Sequence, residues 1–106
     1  MENKTTVNLT FQYFENCPYS PLMLDNIKSA ITGIEDKVQL TEVLINTDEL
    51  AQKYKFRGSP TLLIDGKDLE NMIEPLNVSL SCRVYKDGVP STQFIKERIL
   101  EVIRNK

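Results

Sequence analysis

The sequence contains no histidine. That absence excludes a Ser-His-Asp triad, a Cys-His pair and every His-ligated metal site. Cysteine is scarce as well: Cys17 and Cys82 are the only two. Two thiols are too few for a disulfide scaffold or a four-thiolate zinc site. No hydrophobic run approaches the ~20 residues of a membrane span, and none forms the apolar core of a signal peptide. The polar start leads straight into a strand-like run, so the expected location is the cytoplasm, where thiols are kept reduced. Basic blocks are also missing. The 13 Lys and Arg are outnumbered by 15 Asp and Glu, for a net charge of −2, which argues against nucleic-acid or membrane-surface binding. What is present is a chain of 106 residues, 41% hydrophobic and 26% charged. It is long enough to bury a core, and the expectation is one domain over residues 1–106, acting as a monomer. By elimination, the two sulfurs are the main candidates for chemistry.

The hydrophobic pattern gives an order of elements. Val7, Leu9, Phe11 and Tyr13 alternate with polar residues, the period of a strand. Glu15-Asn16-Cys17-Pro18 breaks it. Ser20-Pro21 reads as an N-cap followed by proline at the first helical position. Leu24, Ile27, Ile31 and Ile34 then recur at helical spacing, which predicts a first helix running to about Gly33, a C-terminal stop. Residues 38–45 form a second strand, and Asn46 with Glu49 resembles a capping arrangement for a short helix carrying Leu50, Ala51 and Tyr54. Arg57-Gly58-Ser59-Pro60 is a turn into an apolar strand at 61–64, and Asp65-Gly66 is a hairpin-turn signal. Residues 67–77 show no clean period. Leu80, Cys82 and Val84 alternate with polar residues and predict a strand that ends near Lys86. A final helix from about Ser91 turns Phe94, Ile95, Ile99, Val102 and Ile103 inward. The order β-α-β-α-β-β-α implies an α/β fold: a parallel first pair with a right-handed crossover, a closing hairpin, and a four-stranded mixed sheet flanked by helices.

Two local motifs give this order a resemblance. Residues 51–63, Ala-Gln-Lys-Tyr-Lys-Phe-Arg-Gly-Ser-Pro-Thr-Leu-Leu, closely resemble the thioredoxin segment A-x-x-Y-x-I-R-G-I-P-T-L-L. Cys17-Pro18-Tyr19-Ser20 looks like the glutaredoxin C-P-Y-C motif with its second cysteine replaced by Ser20. The chain thus resembles the thioredoxin-like superfamily. The resemblance implies a thioredoxin-like fold, a cis Ser59–Pro60 bond facing the site, and a Ser59 backbone that pairs with an extended substrate or a glutathione-like peptide. It implies that Cys17 acts as a thiolate in thiol–disulfide exchange, aided by the helix start beside it. Pro18, Tyr19, Ser20, Ser59 and Pro60 would surround the substrate. Ser20 cannot resolve a mixed disulfide, so the mechanism is monothiol and release falls to an outside thiol: glutathione as co-substrate or a thiol-bearing protein partner. No further cofactor is required. The family's buried acid is replaced by Phe11, and the tryptophan before its cysteine by Asn16.

For Cys82 the alternation implies a core-facing position, with a resolving or second ligand thiol as the alternative. The strand at 61–64 should separate its strand from the first one, a lateral gap of about 10 Å, whereas a disulfide needs Cα atoms within ~7 Å. Because Cys17 lies in a loop beyond its strand, a bond remains open. Arg57 and Arg83 are read as solvated charges, with an anionic carboxylate partner as the alternative. Two other functions stay open. Cys-Pro, Gly58-Ser59-Pro60-Thr61 and Ser81-Cys82-Arg83-x-Tyr85 look distantly like organomercurial lyases, implying soft-metal or organomercurial handling by Cys17 and Cys82. The third is a non-enzymatic interaction module on the same fold.

Overall fold

The alternating run at the start becomes the central strand β1, Val7–Tyr13, in a computed structural model that describes residues 6–106. The polar start, residues 1–5, lies outside the described residues. Strand β2 (Val38–Leu44) pairs parallel to β1, from Val7 beside Val38 to Tyr13 beside Leu44. On the other side β3 (Thr61–Ile64) runs antiparallel to β1, with Leu9 opposite Ile64 and Gln12 opposite Thr61. Asp65-Gly66 turns β3 directly into β4 (Lys67–Asp68), so the mixed sheet has the order β2-β1-β3-β4. The sheet and the helices around it match the expected α/β architecture.

Side-chain alternation sends the two faces of the sheet to different cores. Val7, Leu9 and Phe11 pack with Met23, Ile27 and Ala30 of helix α1 (Ser20–Ala30) and with Ile95 and Ile99 of helix α3 (Thr92–Arg104). Each such fully buried Ile, Leu or Phe contributes about 1.5–3 kcal/mol relative to exposure. A smaller cluster of Ile45, Ala51 and Phe56, joined by Phe14 and Val43, seats helix α2 (Asp48–Tyr54).

The helix starts differ in detail from expectation. Helix α3 starts beside Ser91 as expected, and Ser91 caps it, its Oγ accepting the Phe94 N–H at 3.1 Å. Ser91→Ala should lower stability by about 1 kcal/mol, read as a shift in the urea midpoint. Thr47, not Asn46, caps α2 through the Leu50 N–H. The hydroxyl at Thr47 sits in extended backbone directly ahead of the first helical residue, where it can reach back to an open N–H. Tyr19, not Ser20, occupies the cap position of α1, and Ser20 is already helical. Helix α1 ends at Ala30, and a 3-10 turn at Glu35–Lys37 leads into β2. Phe94 lies outside the core at 38% exposure.

The largest departure follows β4. The predicted strand around Leu80, Cys82 and Val84 is absent, and only one isolated bridge, parallel, joins Cys82 to Ser59. Cys82 is exposed rather than buried, and so are Leu80 and Val84. The alternation there has no sheet face to turn into, because β4 already occupies the free edge of β3. Tyr85 is the residue of this stretch that does reach the main core.

Candidate functional site

The β1–β3 register builds the site. Extended past Gln12 and Thr61, it sets Phe14 against Ser59, and the Phe14 N–H donates to Ser59 Oγ at 3.1 Å. The chain then turns at 15–19 and brings Cys17 back over Ser59. Cys17 Sγ donates to the Ser59 carbonyl at 3.2 Å. Ser20 and Ser59 share a hydroxyl–hydroxyl hydrogen bond of 2.9 Å, which explains why Ser20 does not cap its own helix. The Ser59–Pro60 bond is cis. Ser59, wholly buried, is thus the junction of the two motifs.

A third segment completes this junction. The Ser59 N–H donates to the Ser81 carbonyl at 2.9 Å, and the Arg83 N–H donates to the Ser59 carbonyl at 2.7 Å. The backbone edge that sequence reasoning assigns to an extended substrate is therefore filled by the protein's own residues 81–83. Cys82 lies between those two bonds, bridged to Ser59, the same residue whose carbonyl accepts the Cys17 thiol. The lateral separation expected for the two cysteines is overcome because Cys17 folds across Ser59 from one side while Cys82 lies along it from the other. Both thiols are free.

The thiols differ in exposure and in acidity. Cys17 is 1% exposed, whereas Cys82 faces solvent. Burial alone would push the Cys17 thiol up. Hydrogen bonds from the Cys82 thiol, the Tyr19 N–H and the Ser59 and Ser20 hydroxyls together outweigh it and bring Cys17 below the ordinary thiol value. The bond to Cys17 raises Cys82, with smaller contributions from burial and from the Cys17 charge. The two directions predict that the pair loses its first proton below and its second above the ordinary thiol value. The Tyr19 N–H supplies what a helix start offers an anion, although the helix begins three residues past the sulfur.

The segment at 81–83 is anchored by residues that sequence reasoning did not assign to the site. Arg83 grips Asp68 through two bonds, Nη1–Oδ1 at 2.6 Å and Nη2–Oδ2 at 2.9 Å, and also donates to Thr61 Oγ1. Its guanidinium lies 4.5 Å from the centre of the Tyr85 ring. The Tyr85 hydroxyl, whose ionisation burial makes harder, donates to the Pro60 carbonyl at 2.7 Å. Arg83 is thus neither a solvated charge nor free for a substrate carboxylate. Arg57 donates to the Met72 carbonyl and holds the preceding loop. The Gly58-Ser59-Pro60-Thr61 and Ser81-Cys82-Arg83-x-Tyr85 motifs were the signal available, since every anchor of the junction except Asp68 lies in one of them. Pro18 and Tyr19 are exposed at the rim. Tyr19 lines a hollow of about 140 Å³ with Arg83, Val84, Tyr85, Gly88 and Val89.

Among the described residues, no group of three or more Cys, Asp or Glu side chains gathers to hold a metal ion. None of the described helices is long and apolar enough to cross a membrane.

The parallel crossover, the antiparallel third strand and the cysteine-bearing loop packed on a cis-proline turn define a thioredoxin-like fold. Solved structures share it. Chloroplastic thioredoxin z superposes with a TM-score of 0.63 over 93% of this chain and 80% of its own, at 12% identity. Thioredoxin-2 of the malaria parasite gives 0.61 over 94% and 86%, at 16% identity. The germline-specific thioredoxin Deadhead of Drosophila melanogaster gives 0.59 over 92% and 82%, at 15% identity. No family model matches the sequence, and a search of curated proteins finds no match.

Proposed function

We propose that the protein carries out thiol–disulfide exchange with Cys17 as its activated sulfur. The observation that carries this reading is the buried Cys17 thiol seated on the carbonyl of the cis Ser59–Pro60 turn beside the start of α1, where neighbouring donors bring it below the ordinary thiol value. A sulfur so placed serves exchange with a disulfide in a protein or a glutathione mixed disulfide, and an outside thiol such as glutathione returns the protein to its reduced form. Pro18 and Tyr19 border the approach, and the Ser59–Pro60 turn positions the sulfur from below. Two free thiols suit a reducing compartment such as the cytoplasm.

The test joins titration to activity. Thiolate ultraviolet absorbance of the wild type should rise in two steps, the first below the ordinary thiol value of 9.0 and the second above it. Cys17→Ser should lose the first step and turn over a glutathione–peptide mixed disulfide at least ~100-fold more slowly. A first midpoint at or above 9.0 would sink the reading.

The meeting of both cysteines on Ser59 also favours a second reading, the capture of a soft cation by two thiolates. It ranks behind exchange because, among the described residues, no third donor joins the pair.

A further inference from the structure

We infer that an outside sulfur partner exchanges on Cys82, and that Cys17 beneath it is the internal thiol that closes a Cys17–Cys82 disulfide, the resolving step that Ser20 cannot perform. The inference rests on the thiol–disulfide reading of the site and assigns its route.

Access is the first argument. Cys17 is 1% exposed, so a disulfide in another molecule cannot align with its sulfur while residues 81–83 stay in place, whereas Cys82 stands in solvent. Retention is the second. Backbone bonds at Ser81 and Arg83 flank Cys82, and the Arg83–Asp68 pair and the Tyr85 hydroxyl bond to Pro60 hold the segment against β3 and its entry turn. The cover is therefore fixed in place. Proximity is the third: Cys82 is bridged to Ser59 and the Cys17 thiol donates to the Ser59 carbonyl at 3.2 Å, so the two cysteines meet on one residue. The segment lies along the cis-proline edge as an extended peptide would, with its cysteine at the reacting position.

The chemistry balances without any group from elsewhere in the protein. Cys82, its proton given to solvent, attacks one sulfur of an outside disulfide. The old S–S bond breaks, and one outside thiolate leaves and is protonated by water. The Cys17 thiolate then attacks the Cys82 sulfur of the mixed disulfide. A Cys17–Cys82 bond forms, the second outside sulfur leaves as a thiolate and takes a proton. The outside disulfide gains two electrons, and the cysteine pair loses them. The reverse direction returns the protein: a low-molecular-weight thiol attacks the exposed Cys82 sulfur and expels the Cys17 thiolate, and a second such thiol attacks the mixed disulfide, leaves with the first as a disulfide and frees Cys82. An acidic thiol is the better leaving group, and the donors around Cys17 suit it to that role.

The probe is 5,5′-dithiobis(2-nitrobenzoic acid), added in equimolar amount to the reduced full-length protein. The wild type should release both halves of the reagent and end with a Cys17–Cys82 disulfide, seen by peptide mass mapping. Acid quenching at early times should place the first adduct on Cys82. Cys17→Ser should stop at a stable adduct on Cys82, and Cys82→Ser should react at Cys17 about tenfold or more slowly than that. If Cys82→Ser reacts at Cys17 as fast as the wild type reacts, or if the first wild-type adduct sits on Cys17, the route is overturned while exchange at Cys17 stands. Absence of the Cys17–Cys82 disulfide in the wild type overturns it too. If neither thiol reacts in the folded protein, the exchange reading itself falls. The quenched wild-type experiment decides the route even if a variant fails to fold.

Discussion

Asp68→Ala should destabilise the protein by about 3–5 kcal/mol, the cost of leaving a buried charge without its partner. The side chains of Asp68 and Arg83 are 0% and 9% exposed, so water cannot take the place of the lost carboxylate. Asp68 also accepts the Glu70 N–H at 2.9 Å and the Met72 N–H at 3.1 Å, and both donors lose their partner with it. The same carboxylate predicts a pH dependence. Burial alone would raise Asp68, but the Arg83 guanidinium and the Met72 and Glu70 N–H groups outweigh it and hold the carboxyl below its ordinary 3.8. Its folded-state value lies below its unfolded one. The stability it contributes is therefore complete above the ordinary carboxylate range and is lost as pH falls from about 3.8 through the lowered value. Urea titrations at neutral and acid pH check both statements. In the wild type the midpoint should fall over this acid range, and in Asp68→Ala that part of the fall should be missing. A neutral-pH loss under ~1 kcal/mol would show the pair to be solvated. Replacing both partners with apolar residues should restore most of the stability. It should not restore the placement of Cys82, because Arg83 is what ties the neighbouring backbone to β4.

Gly58→Ala should cost about 2–4 kcal/mol, combining a strained backbone with overpacking. Gly58 has φ +107°, and a Cβ there would stand 2.9 Å from Arg83 Cβ and 3.3 Å from Arg83 Cα. The obstacle is the backbone of the very segment that covers Cys17, so the strain can be relieved by moving residues 81–83 off Ser59. Loss of stability should therefore come with faster alkylation of Cys17, followed by mass mapping in the folded protein. Gly66→Ala is the matched control. Gly66 has φ +85°, but a Cβ there meets open space, so this variant should lose stability through conformation alone and leave Cys17 protected. Equal protection of Cys17 in both variants would detach Gly58 from the site.

Much of the fold was legible in the sequence because it is encoded locally. The alternation of Val7, Leu9, Phe11 and Tyr13 names a half-buried strand, and Asp65-Gly66 names a turn. Ser91 names a helix start, as its bond to the Phe94 N–H shows. The stretch at 80–84 misled for a physical reason. Alternation identifies a strand only where a sheet edge and a core face await it, and here β4 had taken the edge of β3, leaving Leu80, Cys82 and Val84 in solvent. The misplaced cap at Ser20 has a similar origin. A hydroxyl beside a helix start is a good cap, but this one is recruited by Ser59, a partner that lies beyond any local window.

By itself the sequence determined the class of fold, the strand–helix junction that holds Cys17, and the absence of any histidine to assist it. Ser20 in place of a second nearby thiol was equally plain. Only the tertiary structure decided that Cys17 is the buried sulfur and Cys82 the exposed one, that the two meet on Ser59, and that residues 81–83 fill the edge beside cis-Pro60. The reason is that these relations depend on how far apart segments meet. The β1–β3 register sets Ser59 beside the end of β1. The Arg83–Asp68 pair and the close packing on Gly58 then draw the late segment onto the same residue. Periodicity along the chain carries no record of either meeting.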